Sequence, residues 1–133
     1  MDKKKRRRKV FICSPFRPRG KTREERAADL ESNRELARLG CEIAVKKGFL
    51  PLAPHLYFTQ FLTDEDAAER ETGIWLGMDW LSECNEIWVM GKRITEGMRR
   101  EIEAAEAMGI PIVRVEIHSI PFDQFLKDLI SGL

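Results

Sequence analysis

Two acidic residues in the second half of the chain, Asp79 and Glu101, have surroundings that suit acid–base or nucleophilic chemistry. Asp79 has mostly apolar neighbours in residues 77–81 (GMDWL), and partial burial would raise the pKa of its carboxyl and suit a general acid. Glu101 lies in the first two turns of a predicted helix, whose positive end keeps a carboxylate ionised. An ionised carboxylate there can attack an electrophilic sugar carbon. The alternative for both residues is an exposed carboxylate on a solvated helix face.

A polar loop, residues 14–22 (SPFRPRGKT), precedes the first predicted helix. Its Ser14 hydroxyl, its Arg17 and Arg19 guanidinium groups and the amides around Gly20 suit an anion such as a phosphate. The loop has neither P-loop nor Gly-x-Gly-x-x-Gly spacing, so the alternative is that its arginines only face water.

A second loop, after residue 53, is rich in aromatic side chains and offers a wall for a planar ligand. His55 and Tyr57 are candidates to line a base or sugar pocket; the alternative is a packed aromatic loop. The three tryptophans are expected in the core or at an interface. Cys13, Cys41 and Cys84 match no zinc-binding spacing, and we expect them to be buried, reduced thiols. Neither a metal nor a cofactor is expected.

The elements that must position these residues alternate between strand and helix. Hydrophobic patterning and Gly or Pro breaks predict strands at residues 10–13, 49–53, 86–90 and 111–115, and helices at residues 23–47, 65–83, 96–108 and 122–130. This alternation predicts an α/β fold, three-layer and Rossmann/flavodoxin-like, with a central parallel sheet of about four to five strands. Ligands of such sheets bind outside the carboxyl ends of the strands, where both loops and Glu101 would lie.

Composition and charge narrow the function classes. A chain of 133 residues with 43% hydrophobic residues predicts one domain, residues 10–133, after a basic arm. That arm, residues 1–9, carries seven cationic side chains against Asp2. It could be a nuclear-localisation-like address, a nucleic-acid contact or a solvated lead-in. We favour the lead-in, because no aromatic residue is interleaved to stack on bases, and we do not expect nucleic acid as a partner. No signal peptide or membrane-length apolar run is visible, so a cytoplasmic protein is expected.

Three motifs, in this order and spacing, resemble the nucleoside 2-deoxyribosyltransferase-like proteins, including uncharacterised phage and bacterial members and the deoxynucleoside monophosphate glycosidases. Residues 11–17 (FICSPFR) form a strand that ends in a small-residue loop. Residues 79–89 (DWLSECNEIWV) carry Asp-x-Leu-x-x-Cys-Asn into a strand. Residues 95–101 (TEGMRRE) open a helix that ends in Gly109-Ile110-Pro111. The resemblance covers residues 9–115.

The resemblance implies roles for the residues that match. Glu101 would attack the anomeric carbon and form a covalent glycosyl-enzyme, Asp79 would contact the base or assist its departure, and Ser14 and Arg17 would hold a 5′-phosphate. It also implies a homo-oligomer, a dimer or larger. We assign to substrate binding Ser14, Pro15, Phe16, Arg17, Gly20, His55, Tyr57, Glu96, Gly97 and Met98.

Two hypotheses therefore stand for this site. The first is cleavage of the N-glycosidic bond, or deoxyribosyl transfer, on a deoxynucleoside or its 5′-monophosphate. The alternative is a non-catalytic nucleotide-binding or sensing module with the same fold. The absence of a tyrosine near the end of the first strand, where the family enzymes often have one, favours the alternative; this chain has Phe11 and Phe16 there.

Overall fold

A computed structural model of the protein describes residues 6–63 and 65–116. Its elements in chain order are β1 (Lys9–Cys13), α1 (Arg23–Lys46), β2 (Leu50–Leu52), α2 (Pro54–Tyr57), a 3-10 turn (Phe58–Gln60), α3 (Ala67–Ser82), β3 (Glu86–Met90), α4 (Glu96–Met108) and β4 (Ile112–Val115). Lys9, which we had placed in the basic arm, begins β1. The predicted helix at residues 122–130 lies outside the described residues, as do residues 1–5 of the arm.

The four strands form one parallel sheet with the order β2-β1-β3-β4. The chain runs from β1 to β2 on one side and then crosses to β3 on the other side of β1. The point at which this direction changes, between β1 and β3, is where open parallel sheets bind ligands. The prediction of an α/β fold with a central parallel sheet is confirmed.

Helices cover both faces of the sheet because the central strands are apolar on both faces. On one face, side chains of β1 and β3 pack against α1, in a cluster that includes Val10, Ile12, Leu39, Ile43, Trp88 and Met90. On the other face they pack against α3 and α4, in a cluster that includes Phe11, Cys13, Leu81, Ile87, Val89, Met98 and Ala105. Successive side chains of a strand point to opposite faces. Cys13 therefore points towards the layer that contains α3 and α4.

Helix α4 follows the capping signals in its sequence. The Thr95 hydroxyl accepts a hydrogen bond from the Met98 amide (3.2 Å) and so caps the first turn. Gly109 ends the helix in the left-handed region, with φ 72°. Both ends match the prediction, and they fix the register that places Glu101 in the second turn.

One local expectation was wrong. The segment after β2, predicted as a loop, forms α2 and the 3-10 turn, with Pro54 in the first turn of α2, where a missing N–H costs nothing. Helix α3 runs without a break through Gly73 and Gly77. A Cβ at position 77 would lie 3.6 Å from Pro54 Cγ, an ordinary van der Waals distance, so α3 packs beside α2 at this position without requiring glycine. No helix in the described parts of the chain is long and apolar enough to span a membrane.

Candidate functional site

A cavity of about 380 Å³ opens at the carboxyl ends of β1 and β3. Its volume is within the range of small-molecule sites. The segment after β1, the α2 and 3-10 region, the first half of α3 and the start of α4 line it. The lining residues are Phe16, Arg17, Pro54, His55, Phe58, Thr59, Leu62, Thr63, Glu69, Arg70, Glu71, Gly73, Ile74, Thr95, Glu96, Gly97, Met98, Arg100 and Glu101.

Glu101 is the buried carboxyl of this cavity, with 8% of its surface exposed. The Cys13 thiol lies 3.5 Å from its Oε1 atom and donates a hydrogen bond to it. Burial raises the pKa of Glu101 from its ordinary value of 4.5 to about 8, although the Cys13 hydrogen bond acts in the opposite direction. Burial therefore opposes the ionised carboxylate that the position of Glu101 in the helix led us to expect.

Asp79 lies outside the cavity, and of the two alternatives for this residue the exposed carboxylate is the one observed. Gly77 and Leu81 are buried; they are four residues apart and share the inner face of α3. Asp79 is two residues from each and so lies on the other side of the helix, where it is exposed. The cavity thus contains Glu101 without Asp79.

The loop after β1 contributes Phe16 and Arg17 to the cavity, but not the anion site predicted near Gly20. The Arg19 amide donates to Asp29 Oδ2 (2.6 Å), and the Lys21 amide donates to Glu25 Oε2 (2.7 Å). The protein's own carboxylates therefore occupy the amides that were expected to bind a phosphate.

Other members of the loop do not line the cavity. Ser14 and Pro15 are buried and Gly20 is exposed, and none of the three lines the cavity. Within the described residues the Ser14 hydroxyl oxygen has no hydrogen-bond partner. Asn33 donates to the Phe16 carbonyl (3.1 Å) and holds the loop against α1.

The aromatic wall of the cavity is a stacked pair, Phe16 and His55. Their ring centroids lie 5.1 Å apart and their planes differ by 17°. Burial lowers the pKa of His55 to about 4, although a hydrogen bond with the Ser14 backbone acts in the opposite direction. The imidazole is therefore neutral near pH 7 and presents an uncharged ring beside Phe16. Tyr57 lies outside the cavity and is exposed; it packs against Trp80, with ring centroids 5.4 Å apart.

The tryptophans do not share one environment. Trp88 is in the core with 4% of its surface exposed, Trp80 stacks on Phe58 at 5.0 Å, and Trp75 is 62% exposed. The expectation of core or interface positions is therefore right for Trp88, whereas Trp75 is on the surface of this chain.

Sequence reasoning missed the side of the cavity that α3 forms. Arg100 donates two hydrogen bonds to the Glu71 carboxylate, at 2.8 and 3.3 Å, and this pair links α4 to α3. The Arg100 guanidinium lowers the pKa of Glu71. The charged run Glu69-Arg70-Glu71 was the available signal, but nothing local shows which of its members face a cavity.

The structure thus brings seven of the predicted site residues together in one cavity and leaves five outside it. The seven are Phe16, Arg17, His55, Glu96, Gly97, Met98 and Glu101; the five are Ser14, Pro15, Gly20, Tyr57 and Asp79. Among the described residues, no group of three or more His, Cys, Asp or Glu side chains is arranged to hold a metal ion.

Comparison with known proteins identifies a family. A family model described as "Domain of unknown function (DUF7768)" matches residues 8–115. Because this match covers most of the chain, the chain belongs to that family. No curated protein matches it.

A solved structure shares the fold. It is a 2-deoxyribosyltransferase from the psychrotolerant bacterium Bacillus psychrosaccharolyticus, described as a biocatalyst for nucleoside synthesis. The two chains are 14% identical with a TM-score of 0.50, and the similarity covers 90% of this chain and 80% of the other. At this identity the likeness is one of fold.

Proposed function

We propose that this DUF7768 family member cleaves or transfers the N-glycosidic bond of a deoxynucleoside or its 5′-monophosphate, with Glu101 as the nucleophile. The observation that carries the proposal is the buried carboxyl of Glu101 in a cavity at the switch point of the sheet. The fold shared with a 2-deoxyribosyltransferase supports the nucleoside class of ligand.

The reaction would take place in two steps. An ionised Glu101 attacks the anomeric carbon of the sugar, a carboxylate O–C bond forms, and the C–N bond to the base breaks. The electron pair of that bond leaves with the base, which takes up a proton. Water then attacks the glycosyl ester and gives hydrolysis, or a nitrogen atom of a second base attacks it and gives transfer. Either attack releases the Glu101 carboxylate.

Glu101 must lose its proton before it attacks. With a pKa of about 8, roughly a tenth of the carboxyl groups are ionised at pH 7 in the ligand-free protein. The proton for the departing base needs a different source, and Asp79 lies outside the cavity. Glu69 and Glu96 line the cavity and are our candidates for this role.

The remaining walls suit the other parts of a nucleotide. The flat, uncharged Phe16–His55 pair suits stacking with a base. Such stacking depends little on which base is bound. Arg17 lines the cavity next to this pair and is our candidate for a 5′-phosphate. Arg100 also lines the cavity, but its guanidinium pairs with Glu71 and is not our candidate for the phosphate.

The test is release of free base from deoxynucleosides and their monophosphates, followed by chromatography. Glu101→Gln should lower the rate by about 10³-fold or more, because it removes the nucleophile. Glu103→Gln changes an exposed carboxylate on the same helix and should leave the rate unchanged, as should Asp79→Asn. Equal base release by wild type and Glu101→Gln would overturn the assignment of the nucleophile.

The second candidate function is a nucleotide-binding module without turnover. The observation that favours it is the exposure of Asp79, which leaves the expected proton donor outside the cavity. Saturable nucleotide binding, measured by calorimetry, with no product after long incubation would support it. Base release that depends on Glu101 would exclude it.

A further inference from the structure

The Cys13 thiol contacts the carboxyl of the proposed nucleophile. Cys13 is the last residue of β1, pairs in register with Val89 of β3, and is fully buried. Its sulfur lies 3.5 Å from Glu101 Oε1 and 3.8 Å from the Met98 carbonyl oxygen. The end of β1 therefore contacts α4 both at its first turn and at the carboxyl that lines the cavity.

The thiol has the character of a permanent donor. Burial, followed by the nearby Glu101 carboxyl, raises the pKa of Cys13 far above its ordinary value. The sulfur therefore keeps its proton over the whole physiological pH range and is a poor nucleophile. Within residues 6–63 and 65–116, this thiol is the hydrogen-bond donor whose contact lowers the pKa of Glu101.

A second buried cysteine, Cys84, provides a comparison for Cys13. Cys84 belongs to the same apolar cluster as Cys13 and is also buried. Its sulfur donates to the Trp80 carbonyl, at 3.3 Å, four residues earlier in the chain. Cys84 does not line the cavity, so it provides a matched control for the loss of a buried thiol.

We propose that Cys13 is a positioning residue for Glu101: its thiol holds the carboxyl through Oε1 and leaves Oε2 as the oxygen that meets the ligand. The effect of Cys13 on catalysis rests on the proposed function, whereas the contact between Cys13 and Glu101 does not. A carboxyl held at one oxygen loses less conformational freedom when it reaches the attack geometry.

The test compares Cys13→Ala, Cys13→Ser and Cys84→Ala by NMR titration of ¹³C-carboxyl-labelled glutamate. The Glu101 resonance is assigned by its loss in Glu101→Gln. Cys13→Ala removes the donor and should raise the midpoint of this titration by about half a pH unit. Cys13→Ser keeps a donor and should restore a midpoint close to that of wild type.

Cys84→Ala should lower thermal stability without moving the Glu101 midpoint. If Cys13→Ala does not fold, Cys13→Val fills the space without a donor and takes its place. An unchanged midpoint in the variant without a donor, or an equal shift in Cys13→Ser, would overturn the inference.

Kinetic measurements separate this inference from the proposed function. If base is released, Cys13→Ala should lower kcat by about tenfold with little change in KM, and Cys13→Ser should recover most of it. A shifted titration in a protein that releases no base would support the Cys13 contact while the proposed function fails. Base release that requires Glu101 but is indifferent to Cys13, with no shift in the titration, would leave the function standing and overturn the role of Cys13.

Discussion

Replacing Glu101 by glutamine should make the protein more resistant to alkaline pH. Burial raises the pKa of this carboxyl from 4.5 to about 8 in the folded state. Between these values the folded protein keeps a proton that the unfolded chain releases, so stability falls as pH rises through this window. A shift of about 3.5 units, at about 1.4 kcal/mol per unit, amounts to about 5 kcal/mol. Glutamine is nearly isosteric with the protonated carboxyl and does not ionise.

Urea denaturation of wild type and Glu101→Gln at about pH 4 and about pH 9 measures this effect. The unfolding free energy of Glu101→Gln minus that of wild type should be about 5 kcal/mol larger at the higher pH than at the lower one. Ionisation of other groups cancels in the comparison. Glu103→Gln, which is exposed on the same helix, should show no such change. A Glu101→Gln difference that does not change with pH would refute the buried, neutral carboxyl.

Three further predictions concern the pH dependence of catalysis, base binding and assembly. Since the nucleophile must be ionised, kcat/KM should rise about tenfold per pH unit up to about pH 8 and then level off; a profile that falls over this range would identify Glu101 as an acid instead. Phe16→Ala should weaken nucleoside binding, measured by calorimetry, by about tenfold because it removes the stacking ring. Phe61→Ala changes a residue outside the cavity and should leave the affinity unchanged. Equal affinities of wild type and Phe16→Ala would argue against stacking of the base on Phe16. Light scattering should give the mass of a dimer or larger, because Trp75 and Phe61 are 62% and 57% exposed; a monomer at micromolar concentration would contradict this.

The sequence predicted the features whose signals are local. Thr95 and Gly109 are standard helix-end residues, and they gave both ends of α4 correctly. The apolar strands gave the parallel sheet, and the general rule for its carboxyl edge placed Glu101 at a cavity. These steps required no knowledge of how distant segments pack.

The features that were missed depend on packing. Apolar residues surround Asp79 in the sequence, but Trp75 and Leu76 of the same helix are exposed, so hydrophobicity did not reveal the inner face of α3. The neutral state of Glu101 could not be predicted either, because it follows from burial by elements that are distant in sequence. One signal was available: Thr22-x-x-Glu25 is a capping-box pattern, and it indicated that the protein itself occupies amides at the start of α1.

The most direct test of the nucleophile is the search for a glycosyl ester on Glu101. Wild-type protein would be mixed with a deoxynucleoside, quenched in acid and digested with trypsin, which cleaves after Arg100 and Arg114. The peptide of residues 101–114 should gain the mass of one deoxyribosyl group, and fragmentation should place it on Glu101 rather than on Glu103 or Glu106. Base release with that peptide unmodified, or with the sugar on another residue, would contradict the account.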